Sequence, residues 1–466
     1  MNRLLAKTNE QASCFLTEHT SDVVKCTEKL ISIYPFLNKD VLKISALFHD
    51  LGKACSGFQN MLSPPFPMWG FRHEVISTAI LLLYLRAKNI LDLDDDKLQI
   101  ALSVLTHHKN IGNYTTINSA FISCMNITQF SQWNDKWQEL NVTQLQNEFS
   151  AMIPEFPAIN VFQIVASPAN EAARLLDKIS TIWSNDTLAF SRAALVAADH
   201  LASSGKTSIL FGENITRESI ENYATTKIKT WQNWSDIQTL ASVTDGSAML
   251  IAPTGAGKTE AALLWATNNR RKYERIFYVL PYQVSINAMA SRLSEVFPDE
   301  NGDVSLNSNE TISIKHSNTD LAYIQDALND ELSHDEALKI AKAAKDRAGK
   351  IYSPIKVTTI YQLLNIFFGQ KFFEVGILEL KDSLLIFDEI HAYDGHTLGL
   401  IMVMLKYLQK LNARCFIMTA TLPNELKRLL QESSNIAKEN IIKLPENDYL
   451  CNEVRRTLEM QEQCIV

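Results

Sequence analysis

The octet APTGAGKT, Ala252 to Thr259, constrains the fold of this 466-residue chain more than any other stretch. It follows the apolar run AMLI and precedes the helical pattern EAALLWAT, so it occupies a strand-to-helix junction. Gly255 and Gly257 let backbone amides curl around phosphates without a Cβ clash. Lys258 reaches the β- and γ-phosphates, Thr259 offers a hydroxyl to magnesium, and Thr254 belongs to the same nucleotide-contacting turn. From about residue 247 onward the texture matches that junction. Short apolar strands (AMLIA, RIFYVL, SLLIFD, RCFIMTA) alternate with helical stretches, the pattern of a mostly parallel sheet covered on both faces.

About 130 residues beyond the loop comes SLLIFDEIHAYD. Four consecutive apolar residues make a buried strand, Asp388 at its end is placed to hold the magnesium ion, and Glu389 to orient the attacking water. Gln238 stands upstream of the loop, where helicases place a glutamine that reads adenine. LPYQ (Leu280 to Gln283) and VTTIYQLL (Val357 to Leu364) resemble the segments with which superfamily 2 helicases grip strand phosphates. TAT (Thr419 to Thr421) resembles the motif that couples nucleotide state to domain movement. A polar helical insertion, residues 319 to 350, crowds Lys339, Lys342, Lys345, Arg347 and Lys350 near its end; such a run is usually a solvated face, and DNA contact is the alternative.

The first half has another character. Apolar residues recur at helical spacing, as in VLKISALFHDLGK and SRAALVAADHLAS, and six of the ten histidines fall before residue 205. His19, His49, Asp50, His73, His107, His108 and Asp199 mix imidazole with carboxylate, a donor set that suits iron, manganese, cobalt, nickel or zinc. A shared carboxylate bridges two ions, and two metals ~3.5–4 Å apart activate a water and stabilise the leaving oxygen of a phosphodiester. Asp50 is therefore a catalytic residue as well as a ligand, and Lys53, one turn on, would neutralise charge developing on a phosphate. The order H…HD…H…HH…D resembles the HD phosphohydrolase superfamily, with HDLGK (His49 to Lys53) its signature. The doubled His107-His108 points to the dinuclear nuclease branch.

The fold class expected is thus multidomain: an all-α HD domain over 1–205, a connector with the glutamine motif over 206–240, a RecA-like α/β lobe over 241–435, and the start of an inter-lobe linker over 436–466. The net charge of −8 argues against a uniformly basic nucleic-acid-coating protein, though not against a local patch. Seven cysteines at scattered spacing read as reduced thiols. The N-terminus lacks a secretory pattern, and the longest apolar run, Ala79 to Leu85, is far short of the ~20 residues that span a bilayer, so a soluble, cytoplasmic protein is expected.

An HD domain directly before a superfamily 2 motor carrying DEIHAYD resembles the CRISPR-associated helicase–nuclease of type I interference. That resemblance implies an HD site that nicks and degrades single-stranded DNA, and a motor recruited by a guide-RNA surveillance complex of the Cascade kind. It implies one ion on His19, His49, Asp50 and Asp199 and another on Asp50, His73, His107 and His108. The cofactors expected are two divalent ions (iron, manganese, cobalt or nickel) and ATP with magnesium. An inhibitor that occludes the cleft would be a further partner, and no membrane is expected. About 45 residues follow TAT, too few for a second RecA-like lobe, so ATP binding with weak hydrolysis is expected, the second lobe being cut off, encoded apart or supplied by another chain. Two other readings compete: an HD nucleotide phosphohydrolase regulated by an ATP-binding domain, and a nucleotide-gated binding module with a structural histidine cluster.

Overall fold

In a computed structural model, the described residues cover most of 3–444; the longer stretches left out are 109–135, 157–174, 176–185, 316–350 and 445–466. The basic insertion at 319–350 and the tail of the expected linker therefore lie outside the described residues. The chain divides into two compact units, one running to Ile209 and including Asn365–Leu378, the other comprising Leu210–Leu364 and the residues from Glu379 onward. Residues 365–378 thus join the first unit, although in sequence they fall among the strands of the second.

The first unit is mainly helical but not all-α. It opens with strands β1 (Leu5–Thr8) and β2 (Ser13–Phe15), which pair antiparallel. The reason is a period-two pattern: Leu4 and Ala6 are buried while Leu5 and Lys7 are half-buried, which suits a strand rather than a helix face. Helices α1 (Leu16–Ile33), α2 (Lys39–Phe48), α3 (Ser56–Met61), α4 (His73–Ala87), α5 (Asp95–Thr106), α6 (Val142–Phe149) and α7 (Asp186–Ser203) follow. Asn38 caps α2 by accepting from the amides of Asp40 and Val41, and Asp94 caps α5 by accepting from Lys97. The core is aliphatic, with Leu16, Phe48, Leu51, Ile76, Ile80, Leu105 and Phe149 buried in it.

The HDLGK segment is a tight 3-10 turn, Leu51–Ala54, pressed against the start of α4. A Cβ on Gly52 would stand 2.1 Å from the carbonyl oxygen of His73, so only glycine permits this approach. The Gly52 amide donates to Ser77 Oγ at 2.9 Å, which fixes the turn on the helix.

The second unit begins with α8 (Arg217–Lys227) and α9 (Asp236–Val243), then builds a seven-stranded sheet. Its strands are β3 (Ala248–Ile251), β4 (Ile276–Leu280), β5 (Ile312–Lys315), β6 (Ile355–Thr359), β7 (Leu384–Phe387), β8 (Arg414–Thr419) and β9 (Ile441–Lys443), in the spatial order β5-β6-β4-β7-β8-β3-β9. Every pairing among the described strands is parallel. The helices of this region are α10 (Lys258–Asn269), α11 (Gln283–Val296), α12 (Ile360–Phe367), α13 (Phe373–Leu380), α14 (Gly395–Lys410) and α15 (Asn424–Ser434). Strands β4, β6 and β7 are buried along their whole length, as a sheet covered on both faces requires. One expectation is corrected here: Ile441–Lys443, assigned to a linker, is the edge strand beside β3. Two adjacent β-branched residues suffice to extend an existing ladder, though they are too short a run to read as a strand in isolation.

Candidate metal centre and nucleotide cleft

Within the first unit the seven sequence-predicted ligands come together. Donor atoms of Asp50, His73, His107 and His108 all lie within 4.8 Å of one another, and so do those of His19, His49 and Asp199. Asp50 stands between the groups. Its Oδ2 is 3.4 Å from His19 Nε2 and 3.3 Å from His49 Nε2, while its Oδ1 is 3.0 Å from His73 Nε2 and 3.7 Å from His107 Nε2. His19 also reaches Asp199 Oδ1 at 3.1 Å.

Helix ends do the aiming. His49 is the C-cap of α2 and its Nδ1 donates to the Ala46 carbonyl at 2.8 Å; His107 is the C-cap of α5 and its Nδ1 donates to Val104 at 2.7 Å. A carbonyl only accepts, so Nδ1 carries a proton and Nε2 is the ring atom turned to the centre. His49 Nε2, His73 Nε2, His107 Nε2 and Asp50 Oδ1 are buried without a hydrogen-bond partner. Buried polar atoms are costly when unsatisfied, and these converge on common points with imidazole nitrogen and carboxylate oxygen mixed, which fits divalent transition metals.

The electrostatics follow from this crowding. Burial opposes the Asp50 carboxylate, but His49 and Lys53 outweigh it and hold its pKa well below the usual range. Lys53 Nζ lies 2.6 Å from Asp50 Oδ2, and that carboxylate raises the lysine pKa against burial. Burial likewise disfavours the His19 imidazolium, yet Asp199 and Asp50 raise it to about 9. His108 goes the other way: burial, His107 and His73 push it down to about 2, so it stays neutral.

One residue of this centre was not foreseen. Glu74 is 2% exposed, its carboxylate is 3.6 Å from His73 Nδ1, and it pairs with Arg72. It stands on the Nδ1 side of His73, the side opposite the Nε2 that faces Asp50, where a carboxylate can steer a ligating imidazole. The available signal was an acidic residue directly after a candidate ligand, which also reads as an ordinary first-turn glutamate.

In the second unit the predicted motifs gather at the C-terminal ends of parallel strands: the phosphate loop after β3, LPYQ after β4, VTTIYQLL across β6 and α12, Asp388-Glu389 after β7, and TAT at the end of β8. This is the edge at which open parallel sheets bind ligands. Gly255 and Gly257 adopt φ of 83° and 80°. Thr259 Oγ1 accepts from Arg292 Nη1 at 3.4 Å. Lys258 Nζ is buried and 3.5 Å from Glu389 Oε1. Asp388 accepts from Tyr278 OH at 3.0 Å, and burial raises its pKa to about 6.

Glu389 itself has φ 51°, the left-handed region, uncommon for a non-glycine and typical of functional turns. His391 Nδ1 donates to Thr419 Oγ1 at 2.8 Å, since that hydroxyl spends its own proton on the Thr421 carbonyl. The DEIH and TAT segments are thereby hydrogen-bonded. Gln238 reaches the loop, its Nε2 donating to the Gly257 carbonyl at 3.3 Å and its Oε1 accepting from the Ser235 amide at 2.9 Å. Tyr278 and Arg292 carry no recognised sequence signal, because each meets a partner distant in sequence, whereas His391 lies inside DEIHAYD without a role read from the sequence.

Residues 235–429 match the DEAD/DEAH box helicase family. The CRISPR-associated nuclease/helicase Cas3 of Methanothermobacter thermautotrophicus is 26% identical over 91% of this chain and 54% of its own length. The CRISPR-associated endonuclease/helicase Cas3 of Escherichia coli K12 is 28% identical over 41% of this chain and 22% of its own. The chain is similar to these Cas3 nuclease/helicases. A solved CRISPR-associated protein superposes with a TM-score of 0.56 at 18% identity, covering 92% of this chain and 53% of that one, so the two share a fold over most of this chain. The chain spans about half the length of the Methanothermobacter relative. No helix among the described residues is long and apolar enough to cross a membrane.

Proposed function

We propose that this Cas3-like chain is a metal-dependent single-stranded DNA nuclease joined to an ATP-binding helicase lobe, acting in CRISPR interference after recruitment by a guide-RNA surveillance complex. The observation that carries the nuclease reading is Asp50, whose two oxygens face two separate sets of buried imidazole nitrogens. His19, His49, Asp50 and Asp199 would hold one divalent ion, and Asp50, His73, His107 and His108 the other. Such a pair supplies an activated water and charge stabilisation for phosphodiester cleavage. The chain's own residues prepare that chemistry. Nδ1 bonds fix the tautomers, Glu74 orients His73, and Lys53 stays cationic beside Asp50, where it can meet a phosphate oxygen.

In the cleft, Lys258, Thr259 and Asp388 would hold magnesium–ATP, with Thr254, Gly255 and Gly257 lining the phosphates and Glu389 orienting water. Gln238 would meet adenine from the first turn of α9, where its amide bonds to Ser235 and to Gly257 of the loop.

The test offers the purified chain single-stranded DNA and a panel of nucleotides, with manganese, cobalt or nickel, and with EDTA. Shortened DNA that disappears on chelation is expected. Hydrolysis of nucleotides with intact DNA would replace this reading by that of a nucleotide phosphohydrolase.

A further inference from the structure

Arg192, on α7, is 1% exposed and among the largest fully buried side chains. Two arms of its guanidinium are committed to Thr106, the last residue of α5. Nε donates to Thr106 Oγ1 at 2.9 Å and Nη2 to the Thr106 carbonyl at 2.9 Å. Thr106 Oγ1 gives its own proton to Leu102 O at 2.7 Å, so it is free to accept. A carbonyl at a helix C-terminus lacks an intrahelical partner, and here a fixed cationic fork supplies one immediately before His107 and His108. The neighbouring Ser191 donates to Gln99 Oε1 at 3.1 Å, so α7 and α5 are pinned at consecutive residues. Asp199 lies two turns along α7 from Arg192, on the same face.

The remaining arm, Nη1, pairs with Glu374, which is 2% exposed in the first turn of α13. Glu374 belongs to residues 365–378, the segment that groups with the first unit despite its place between β6 and β7. A guanidinium this deep needs a carboxylate, because breaking a buried pair leaves an uncompensated charge.

We propose that Arg192 is the positioning residue of the His107-His108 ligand turn and that Glu374 is its counter-ion, making segment 365–378 a working part of the metal centre. This rests on the reading that the histidine–aspartate cluster binds metal. Both ends of the arrangement are rigid. Arg192 presents a planar fork that a lysine cannot reproduce, and Thr106 is covalently next to His107.

The experiment titrates manganese into the intact chain and into Arg192→Lys, Glu374→Gln and Thr106→Val. It reads ions bound per chain, affinity, and manganese–manganese coupling by electron paramagnetic resonance. Thr106→Val is nearly isosteric, removes the Nε acceptor together with the hydroxyl's bond to the Leu102 carbonyl, and keeps the test alive should the charged variants not fold. About a tenfold or greater loss of affinity is expected on the His73/His107/His108 side, with loss of coupling, while the ion on His19, His49 and Asp199 and the affinity for ATP stay as in the unaltered chain. Folded variants that melt lower yet bind two coupled ions with unaltered affinity would reduce the ensemble to packing and overturn the proposal. Failure of the unaltered chain to bind manganese would instead overturn the reading of the cluster.

Discussion

The metal centre and the nucleotide cleft solve opposite problems. In the first, His49 and His107 have one ring nitrogen fixed by a carbonyl three residues back, which leaves the other aimed inward with nothing to bind. In the second, the functional groups face one another across the cleft, although Lys258 Nζ, Asp388 Oδ1 and Glu389 Oε2 are still without a hydrogen-bond partner. Lys258 faces Glu389, Asp388 accepts from Tyr278, and Gln238 holds the Gly257 carbonyl. The metal donors are set by helix ends inside a packed core and need little rearrangement on binding. The cleft residues sit at or beside the strand-to-helix turns and must exchange partners when a nucleotide arrives, which is what a cycling motor requires.

The comparison breaks most visibly at Asp50. Asp50→Asn keeps the volume but removes the carboxylate that faces both donor sets, and DNA cleavage should fall by about 10³-fold or more. Metal analysis should find fewer ions per chain, while ATP affinity is unchanged. Cleavage at the original rate by a fully folded variant would remove Asp50 from the chemistry.

Lys258→Ala is the reciprocal case. Losing a charge-assisted contact of about 2–3 kcal/mol should weaken ATP binding roughly a hundredfold in calorimetry. Manganese content should not change. A parallel loss of metal would mean that the two regions are not separable as drawn here. A smaller effect is expected at Glu74: Glu74→Gln keeps a hydrogen-bond acceptor near His73 but removes its charge, and manganese affinity should drop about tenfold. An unaltered affinity would leave Glu74 as a partner of Arg72 and nothing more.

Legibility in the sequence differed between the regions for physical reasons. The phosphate loop and HDLGK are contiguous, because backbone amides or a close helix approach demand particular residues side by side. The glycine is the clearest instance, since Gly52 lies against the carbonyl of His73. His107-His108 was visible as a doublet. Glu74 hid behind an ordinary helix-start role. The Arg192–Glu374 pair joins residues far apart in the chain, and neither residue has a local pattern that announces it. The β1–β2 hairpin and β9 are too short for periodicity to outvote their surroundings, and only pairing partners make them strands.

The gentlest way to separate the two regions is proton competition. An ion can join His19 only by displacing the proton that Asp199 and Asp50 help it keep up to about pH 9. Apparent manganese affinity should therefore rise from pH 7 to 9, by up to about tenfold per unit, and level off above that. In the cleft the titrating group is Asp388, whose carboxyl is raised to about 6 by burial and takes a proton below that pH. Magnesium–ATP affinity should be level between pH 7 and 9 and decline only as pH falls through about 6. Over the interval from pH 7 to 9 one site responds and the other does not. Calorimetric titrations of each ligand in matched buffers measure both curves. A flat manganese curve across that interval would mean that His19 carries no proton to displace, and the electrostatic account of the cluster would fail even if the ions still bind.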